Sequence, residues 1–169
     1  MTRTTALLLT VVVLLSGVPT TATAQTTQDV TLTISVVDRD GDPVADAGVE
    51  ATWDGGSATE TTRSNGQTLI DVPSGANVEI DVTSDEYIRN TDYDIESASA
   101  GDVEITVAEK GSATVDVRNA QGNAVADAWV RLWQDGTRVV NARTNANGVH
   151  QTKAIEQGEY QLFVFKEGY

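Results

Sequence analysis

Short segments in which apolar and polar residues alternate run along most of the chain. Residues 30–36 read VTLTISV and residues 78–82 read VEIDV, so every second side chain is aliphatic. Successive side chains of a β-strand point to opposite sides, so this two-residue period predicts strands with one buried face. Turn residues separate the segments at intervals of roughly ten residues, which is typical of an antiparallel β-sandwich. The acidic stretch at 85–102 is predicted to be a long loop.

The chain also repeats itself. Residues 41–49 read GDPVADAGV, and residues 122–130 read GNAVADAWV. The dipeptide Asn-Gly at 65–66 returns at 147–148, and this dipeptide is a strong signal for a tight hairpin turn. A repeated strand-and-turn unit indicates tandem β modules.

We therefore predict an all-β chain with two tandem antiparallel β-sandwich modules. The first copy comprises residues 30–109, the second copy comprises residues 112–169, and Lys110-Gly111 joins them. The first copy continues past Tyr87 to a last strand at 103–107, whereas the second copy reaches its counterpart, Tyr169, without that strand. Either the natural chain is longer, or another chain supplies the strand.

The N-terminus has the pattern of a secretory signal peptide, predicted to comprise residues 1–24. Arg3 precedes an apolar run at 6–18, and Ala-Thr-Ala at 22–24 is a small-residue cleavage site. The run is shorter than the roughly 20 residues that a membrane-spanning helix needs. Residues 25–29 are predicted to form a flexible Thr-rich stalk. These features predict an extracellular or cell-surface protein without a membrane span after processing.

The composition narrows the classes of partner. The chain has 25 acidic and 11 basic residues and a net charge of −14. Few lysines and many acids resemble secreted proteins of extreme halophiles, and they argue against nucleic acid, which needs clustered basic side chains. The chain has no cysteine, so its modules rely on their apolar cores. One histidine, His150, gives no zinc site and has no recognisable catalytic partner; neither a cofactor nor an enzymatic activity is predicted.

The repeated motifs belong to a longer pattern: a strand, D/N-x-x-G-x-P/A-V-x-x-A-x-V, a turn, T-x-x-x-G, and a strand that ends in Tyr. It is carried in the first copy by Gly41, Pro43, Val44, Ala47, Val49, Asn65, Gly66, Gly75, Val78 and Tyr87, and in the second by Gly122, Val125, Ala128, Val130, Asn147, Gly148, Gly158, Tyr160, Gly168 and Tyr169. This pattern resembles the carboxypeptidase regulatory-like domain, a transthyretin-like β-sandwich related to the carbohydrate-binding-like fold. The resemblance implies that fold and leaves the function open among spacers, adhesion modules and enzyme accessory domains.

One turn has a weak resemblance to a calcium loop. Asp38, Asp40 and Asp42 place carboxylates at alternate positions, where they could surround a hard cation. The second copy keeps the turn at 118–123 without these acids. We therefore favour a plain turn on an acidic surface, and no metal site is predicted.

The second copy carries aromatic residues where the first copy has small or polar ones. Strand alternation turns five residues outward, which we call the aromatic face: Trp129, Arg131, Trp133, Phe163 and Phe165. Such a surface usually marks a contact site. It is either covered by a neighbouring module, chain segment or subunit, or used to stack sugar rings. A β-bulge that shifts the register by one residue would instead turn these side chains into the core.

The leading hypothesis is a secreted or cell-surface structural module that contacts another protein, or another copy of itself, through the second copy. One alternative is a carbohydrate-binding module that stacks a polysaccharide on Trp129, Trp133 and Phe163. The other is an accessory domain of a larger secreted enzyme.

Overall fold

The computed structural model describes residues 28–168, and every regular element within that range is a β-strand. The predicted signal peptide at 1–24 lies outside the described residues, as does most of the predicted stalk. The first strand, β1, begins at Asp29, the last residue of that stalk. The predicted all-β class is confirmed.

Nine strands belong to the first copy or to its junction with the second: β1 (Asp29–Val37), β2 (Gly48–Trp53), β3 (Gly56–Thr61), β4 (Gln67–Pro73), β5 (Val78–Thr83), β6 (Tyr87–Ile88), β7 (Tyr93–Ile95), β8 (Gly101–Thr106) and β9 (Ala108–Gly111). Six strands follow in the second copy: β10 (Thr114–Asp116), β11 (Trp129–Gln134), β12 (Thr137–Arg143), β13 (Val149–Gln151), β14 (Ile155–Glu156) and β15 (Gln161–Phe165).

The first copy is a sandwich of two sheets around one core. One sheet has the order β4-β1-β8, and the other contains β3-β2-β5 and continues through β6 and β9, with β7 also paired to β5. The alternating residues Leu32, Ile34 and Val36 of β1 are almost completely buried, together with Val49 of β2 and Ile80 of β5. Removing these aliphatic side chains from water is what holds the two sheets together.

One ladder of the first copy runs parallel. β8 pairs parallel with β1, with Val103 opposite Ile34 and Ile105 opposite Val36, while the other ladders within residues 28–168 are antiparallel, as predicted. Past Val107 the chain enters the opposite sheet as β9, which pairs with β6. β8 and β9 therefore close the side of the sandwich next to β5.

The stretch at 85–102 is not a simple loop, and that prediction was wrong. It contains β6 and β7, and Tyr87, Tyr93 and Ile95 pack against the first-copy core. Two- and three-residue strands are too short to show a recognisable period.

A buried threonine at the same position of each copy, Thr62 or Thr144, stabilises the same turn through its hydroxyl. Thr144 is buried, its hydroxyl donates to the Val125 carbonyl at 2.7 Å, and it accepts the Ala128 N–H at 2.9 Å. Thr62 makes the equivalent bonds in the first copy at 2.7 and 2.9 Å. Buried polar groups need such partners, so this part of the repeat serves the fold.

The joint between the copies is a strand rather than a linker. β14 of the second copy pairs with β9, with Ile155 opposite Gly111. Glu156, whose side chain is 15% exposed, accepts the Arg39 guanidinium at 2.8 Å and the Asn90 N–H at 2.8 Å. A carboxylate this sheltered is tolerated because both partners are in place. These contacts tie the two copies together across their junction.

Candidate functional site: an aromatic face on the second copy

The aromatic face lies on the sheet with the order β12-β11-β15. The antiparallel ladder between β11 and β15 sets Trp129 opposite Phe165 and Arg131 opposite Phe163. Val130, which lies between Trp129 and Arg131, is completely buried. Alternation therefore places these four side chains together on the outer side of the sheet.

The β11–β12 ladder does contain a register shift, between Leu132 and Trp133. Leu132 remains buried and Trp133 remains partly exposed, so the alternation continues through the irregularity. The alternative in which a bulge turns the tryptophans into the core is therefore wrong.

The side chains of the face form a layered stack. The rings of Trp129 and Phe165 are 6.1 Å apart with an interplanar angle of 20°. The Arg131 guanidinium carbon lies 4.5 Å from the Phe165 ring centroid and 5.7 Å from that of Trp129. The Arg143 guanidinium carbon lies 4.2 Å from the Trp129 centroid. Each arginine–ring contact is within the range of a cation–π interaction, so the arginines hold the rings of Trp129 and Phe165 in place.

Two rings of the face remain open to solvent. Phe163 is 52% exposed and Phe165 is 42% exposed. They border a shallow groove of about 440 Å³ lined by Arg131, Trp133, Gly136, Gln161, Phe163 and Phe165. Neighbouring aromatic groups left in water are the usual mark of a binding surface.

The face is basic on an otherwise acidic protein. Arg131, Arg138 and Arg143 lie on or beside its rings, with Arg138 6.0 Å from the Trp133 centroid. The whole chain carries a net charge of −14. One of these arginines, Arg143, is paired at 2.7 Å with an exposed Asp127, which is a weak interaction in water. The local charge of the face is therefore opposite in sign to the net charge of the chain.

The equivalent sheet of the first copy has the opposite character. Where Arg131 faces Phe163, the first copy has Glu50 facing Asp81. Glu79 lies on the same strand, and a hydrogen bond with Asp92, followed by the negative charge of Asp92, raises the pKa of the Glu79 carboxyl above its ordinary value. The outer face of this sheet thus carries crowded, mutually repelling carboxylates.

We expect Glu79→Gln to raise the melting temperature at neutral pH and low salt. A raised folded-state pKa means that the charged form is disfavoured in the fold, so stability falls as the pH rises through that pKa. Calorimetry from pH 4 to 8 covers the range that begins near the ordinary carboxyl pKa of about 4.3. Over this range the melting temperature of the variant should fall less with rising pH than that of the unchanged protein. Glu60→Gln removes the same charge from the exposed strand β3 and is the control. An equal rise in melting temperature in both variants would contradict local repulsion at Glu79. A rise that persists in high salt would also contradict it, because salt screens exposed charges.

The acidic turn that resembles a calcium loop is explained by its own hydrogen bonds. The Asp38 carboxylate accepts the N–H groups of Asp40 and Asp42, both at 2.9 Å. Asn119 makes the same two contacts in the second copy, at 3.0 and 2.9 Å. Within residues 28–168, no group of three or more His, Asp or Glu side chains is placed to hold a metal ion.

One feature of the second copy was missed from the sequence. Leu162 and Val164 lie on the inner side of β15, opposite the buried Leu132 and Val130, yet they are 50% and 41% exposed. A strand pattern gives the direction of a side chain and does not show whether anything covers it.

No protein-family model matches the chain, and no curated protein matches it. The resemblance to the carboxypeptidase regulatory-like domain therefore stays a prediction. No helix of the described residues is long and apolar enough to cross a membrane.

Several solved β-rich structures are similar to the chain. The Bacillus anthracis TIE protein is 17% identical over 82% of this chain and 31% of its own, with a TM-score of 0.41. A streptococcal ancillary pilin is 15% identical over 84% and 54%, with a TM-score of 0.37. A DUF3823 family protein from Bacteroides ovatus ATCC 8483 is 13% identical over 82% and 81%, with a TM-score of 0.42. The chain thus spans only about a third and about half of the first two. Likenesses this distant carry no argument about function.

Proposed function

We propose that this protein is an extracellular or cell-surface structural module that binds another protein through the aromatic face. The observation that carries the proposal is the pair of exposed rings, Phe163 and Phe165, beside a Trp129 already stacked with arginine. Aromatic residues and arginine supply most of the binding energy at protein interfaces. An exposed cluster of them on a hydrophilic domain is a typical contact surface.

The arrangement of the rings supports protein contact over sugar stacking. A sugar stacks on a ring whose flat face is free. The Arg143 guanidinium lies 4.2 Å from the Trp129 centroid, and the Arg131 guanidinium lies 4.5 Å from that of Phe165. A polysaccharide would have to displace these groups, whereas a protein side chain can insert into the groove beside Phe163.

The charges of the face point to a partner surface that carries carboxylates. The outer face of the first copy, with Glu50 facing Asp81, is one such surface. A second molecule of the chain therefore offers a complementary partner, and self-association is the simplest form of the proposed contact. The net charge of −14 repels two copies in dilute salt and is screened in concentrated salt.

Light scattering in high salt over a range of concentrations tests this function. We expect a dimer or larger assembly that the double variant Trp129→Ala, Phe165→Ala returns to the monomer mass. Leu69→Ala removes an equally exposed apolar side chain from the first copy (49% exposed) and should leave the assembly intact. A monomer mass at every concentration would contradict the proposed self-association. Loss of polysaccharide pull-down by Trp129→Ala with unchanged mass would favour the carbohydrate-binding alternative.

A further inference from the structure

A cavity of about 500 Å³, which we call the junction cavity, lies where the two copies meet. Its walls are residues 88–90 of the first copy and residues 139–142 and 150–155 of the second. The strands β6 and β14 both pair with β9, which fixes the contributions of the two copies relative to each other. A volume of this size is typical of a site for a small molecule.

The repeat gives the counterpart of one wall in the first copy. The buried Thr62 and Thr144 occupy the same place in the two copies, and an Asn-Gly dipeptide follows each of them at the same distance. Residues 68, 70 and 72 of β4, which are buried in the first copy, therefore correspond to residues 150, 152 and 154 of the second.

Smaller or more polar side chains open the wall of the junction cavity in the second copy. Ile70 and Val72 are fully buried in the core of the first copy, and Thr152 and Ala154 stand in their places. Removing aliphatic volume from the inner side of a strand leaves a cavity wherever the neighbours do not collapse into it. The cavity is thus a consequence of the differences between the copies.

The charge of the junction cavity is opposite to that of the chain. Arg89, His150 and Lys153 are among its lining residues, and none of those lining residues within 28–168 is Asp or Glu. The chain as a whole has 25 acidic and 11 basic residues. Lys153 corresponds to Asp71 of the first copy, so the second copy has the opposite charge at this position.

The guanidinium group of Arg89 is only partly satisfied by the protein. One terminal N–H donates to the Thr106 carbonyl at 3.0 Å, and Nε is buried without a hydrogen-bond partner among the described residues. A guanidinium has five N–H donors and keeps its charge at any ordinary pH. Arg89 therefore retains donors for a further acceptor.

The acids of the protein do not neutralise the cavity. No salt bridge in the described part of the chain includes Arg89 or Lys153. Glu156, which directly follows the lining segment, binds Arg39 at 2.8 Å instead. Unpaired basic side chains beside an aliphatic wall suit a ligand that is anionic at one end and apolar at the other.

We propose that the junction cavity binds a small organic acid. Its carboxylate lies against Arg89 and Lys153, and its aliphatic body lies against Val140, Ala154 and Ile155, which line the same cavity. Arginine binds carboxylates strongly because two parallel N–H groups can donate to the two oxygens. The first copy, with Asp71 and a filled core at the equivalent place, has no such site.

This site is separate from the proposed contact through the aromatic face. The junction cavity and the groove beside Phe163 have no lining residue in common. Binding of an organic acid and self-association can therefore succeed or fail independently.

Nuclear magnetic resonance of the whole chain, titrated with cyclohexanecarboxylate, tests the site. We expect saturable shifts of the amide signals of residues 88–90, 139–142 and 150–155, without saturable shifts at residues 161–165. Cyclohexanecarboxamide has the same ring and nearly the same shape but no charge. It should bind roughly tenfold more weakly or worse, because a hydrogen bond to an ionised group is about twice as strong as a neutral one.

Two variants separate the charge of the cavity from its space. Arg89→Gln should weaken binding of the carboxylate by roughly tenfold or more and leave the weak binding of the amide little changed. Ala154→Leu keeps every charge and fills the cavity, so it should weaken both ligands. Ala154 is exposed, so this variant should keep its circular dichroism spectrum and melting temperature. Arg63→Gln, at an exposed position of the first copy, and Arg131→Gln, on the aromatic face, remove the same charge and should bind the carboxylate normally.

Four results would overturn the proposal. The first is equal affinity for the carboxylate and the amide, and the second is carboxylate binding that both Arg89→Gln and Ala154→Leu retain. The third is loss of binding in Arg131→Gln, which would place the ligand on the aromatic face. The fourth is the absence of saturable shifts with cyclohexanecarboxylate, hexanoate and benzoate up to their solubility limits.

Discussion

Ile80→Ala is expected to lower the free energy of unfolding by about 2–5 kcal/mol, the range for removing a buried aliphatic side chain. Leu162→Ala, at the equivalent position of the second copy, should lower it by less than about 1 kcal/mol, as a largely solvated side chain does. The chemistry of the two changes is nearly the same. The difference arises because Ile80 is completely buried in the core of the first copy, whereas Leu162 is 50% exposed.

Urea denaturation of both variants, followed by circular dichroism and tryptophan fluorescence, measures the two effects. Val82→Ala and Val164→Ala form a second matched pair, since Val82 is 3% exposed and Val164 is 41% exposed. Equal losses within either pair would mean that the inner side of β15 is covered in solution.

The contrast between the copies also shows where the stability of the chain resides. The cluster of buried apolar residues that forms the core lies entirely in the first copy. The chain has no cysteine that could support the weaker second core. The second copy depends instead on the β9–β14 ladder and on Glu156, which binds both Arg39 and Asn90 of the first copy. These contacts therefore tie the less buried second copy to the core-bearing first copy.

The long strands could be predicted from sequence because each has one buried face. The period of β1, with Leu32, Ile34 and Val36, and that of β5 give the direction of each side chain without knowledge of the partner strands. The Asn-Gly dipeptide at 65–66 was less informative. Its turn closes locally, with the Gly66 N–H bonded to the Arg63 carbonyl at 2.8 Å. However, β3 and β4 on its two sides lie in different sheets, so the predicted hairpin is wrong.

The candidate site was predictable only in part. Comparison of the copies gave the outward direction of Trp129 and Phe165, because the repeat supplies the register. The comparison of the copies did not predict that the guanidinium groups of Arg131 and Arg143 lie against these rings. Arg143 comes from β12, and its place beside Trp129 depends on the β11–β12 ladder. The exposure of Leu162 depends on which elements cover the inner side of β15, and the alternation within β15 does not show them.

Gly148→Ala is expected to be among the most damaging single changes in the second copy, with a loss of about 2–5 kcal/mol. Gly148 has a φ of +77°, and an added Cβ would lie 2.6 Å from the Val117 carbonyl oxygen and 3.0 Å from the Val125 nitrogen. The left-handed backbone costs about 1–2 kcal/mol for a residue with a side chain, and the overlap with rigid backbone adds about 1–3 kcal/mol. Gly66 in the first copy has the same geometry, 2.6 Å from the Val36 carbonyl oxygen.

Gly122→Ala separates the two contributions. Gly122 has a φ of +81°, and an added Cβ would meet no atom within 4 Å, so only the conformational cost of about 1–2 kcal/mol applies. Urea denaturation of the two variants should rank Gly148→Ala well above Gly122→Ala, and equal losses would show that the turn around Gly148 relaxes freely. The Val117 carbonyl also accepts the Val125 N–H at 2.9 Å, so displacing this carbonyl would also weaken that hydrogen bond.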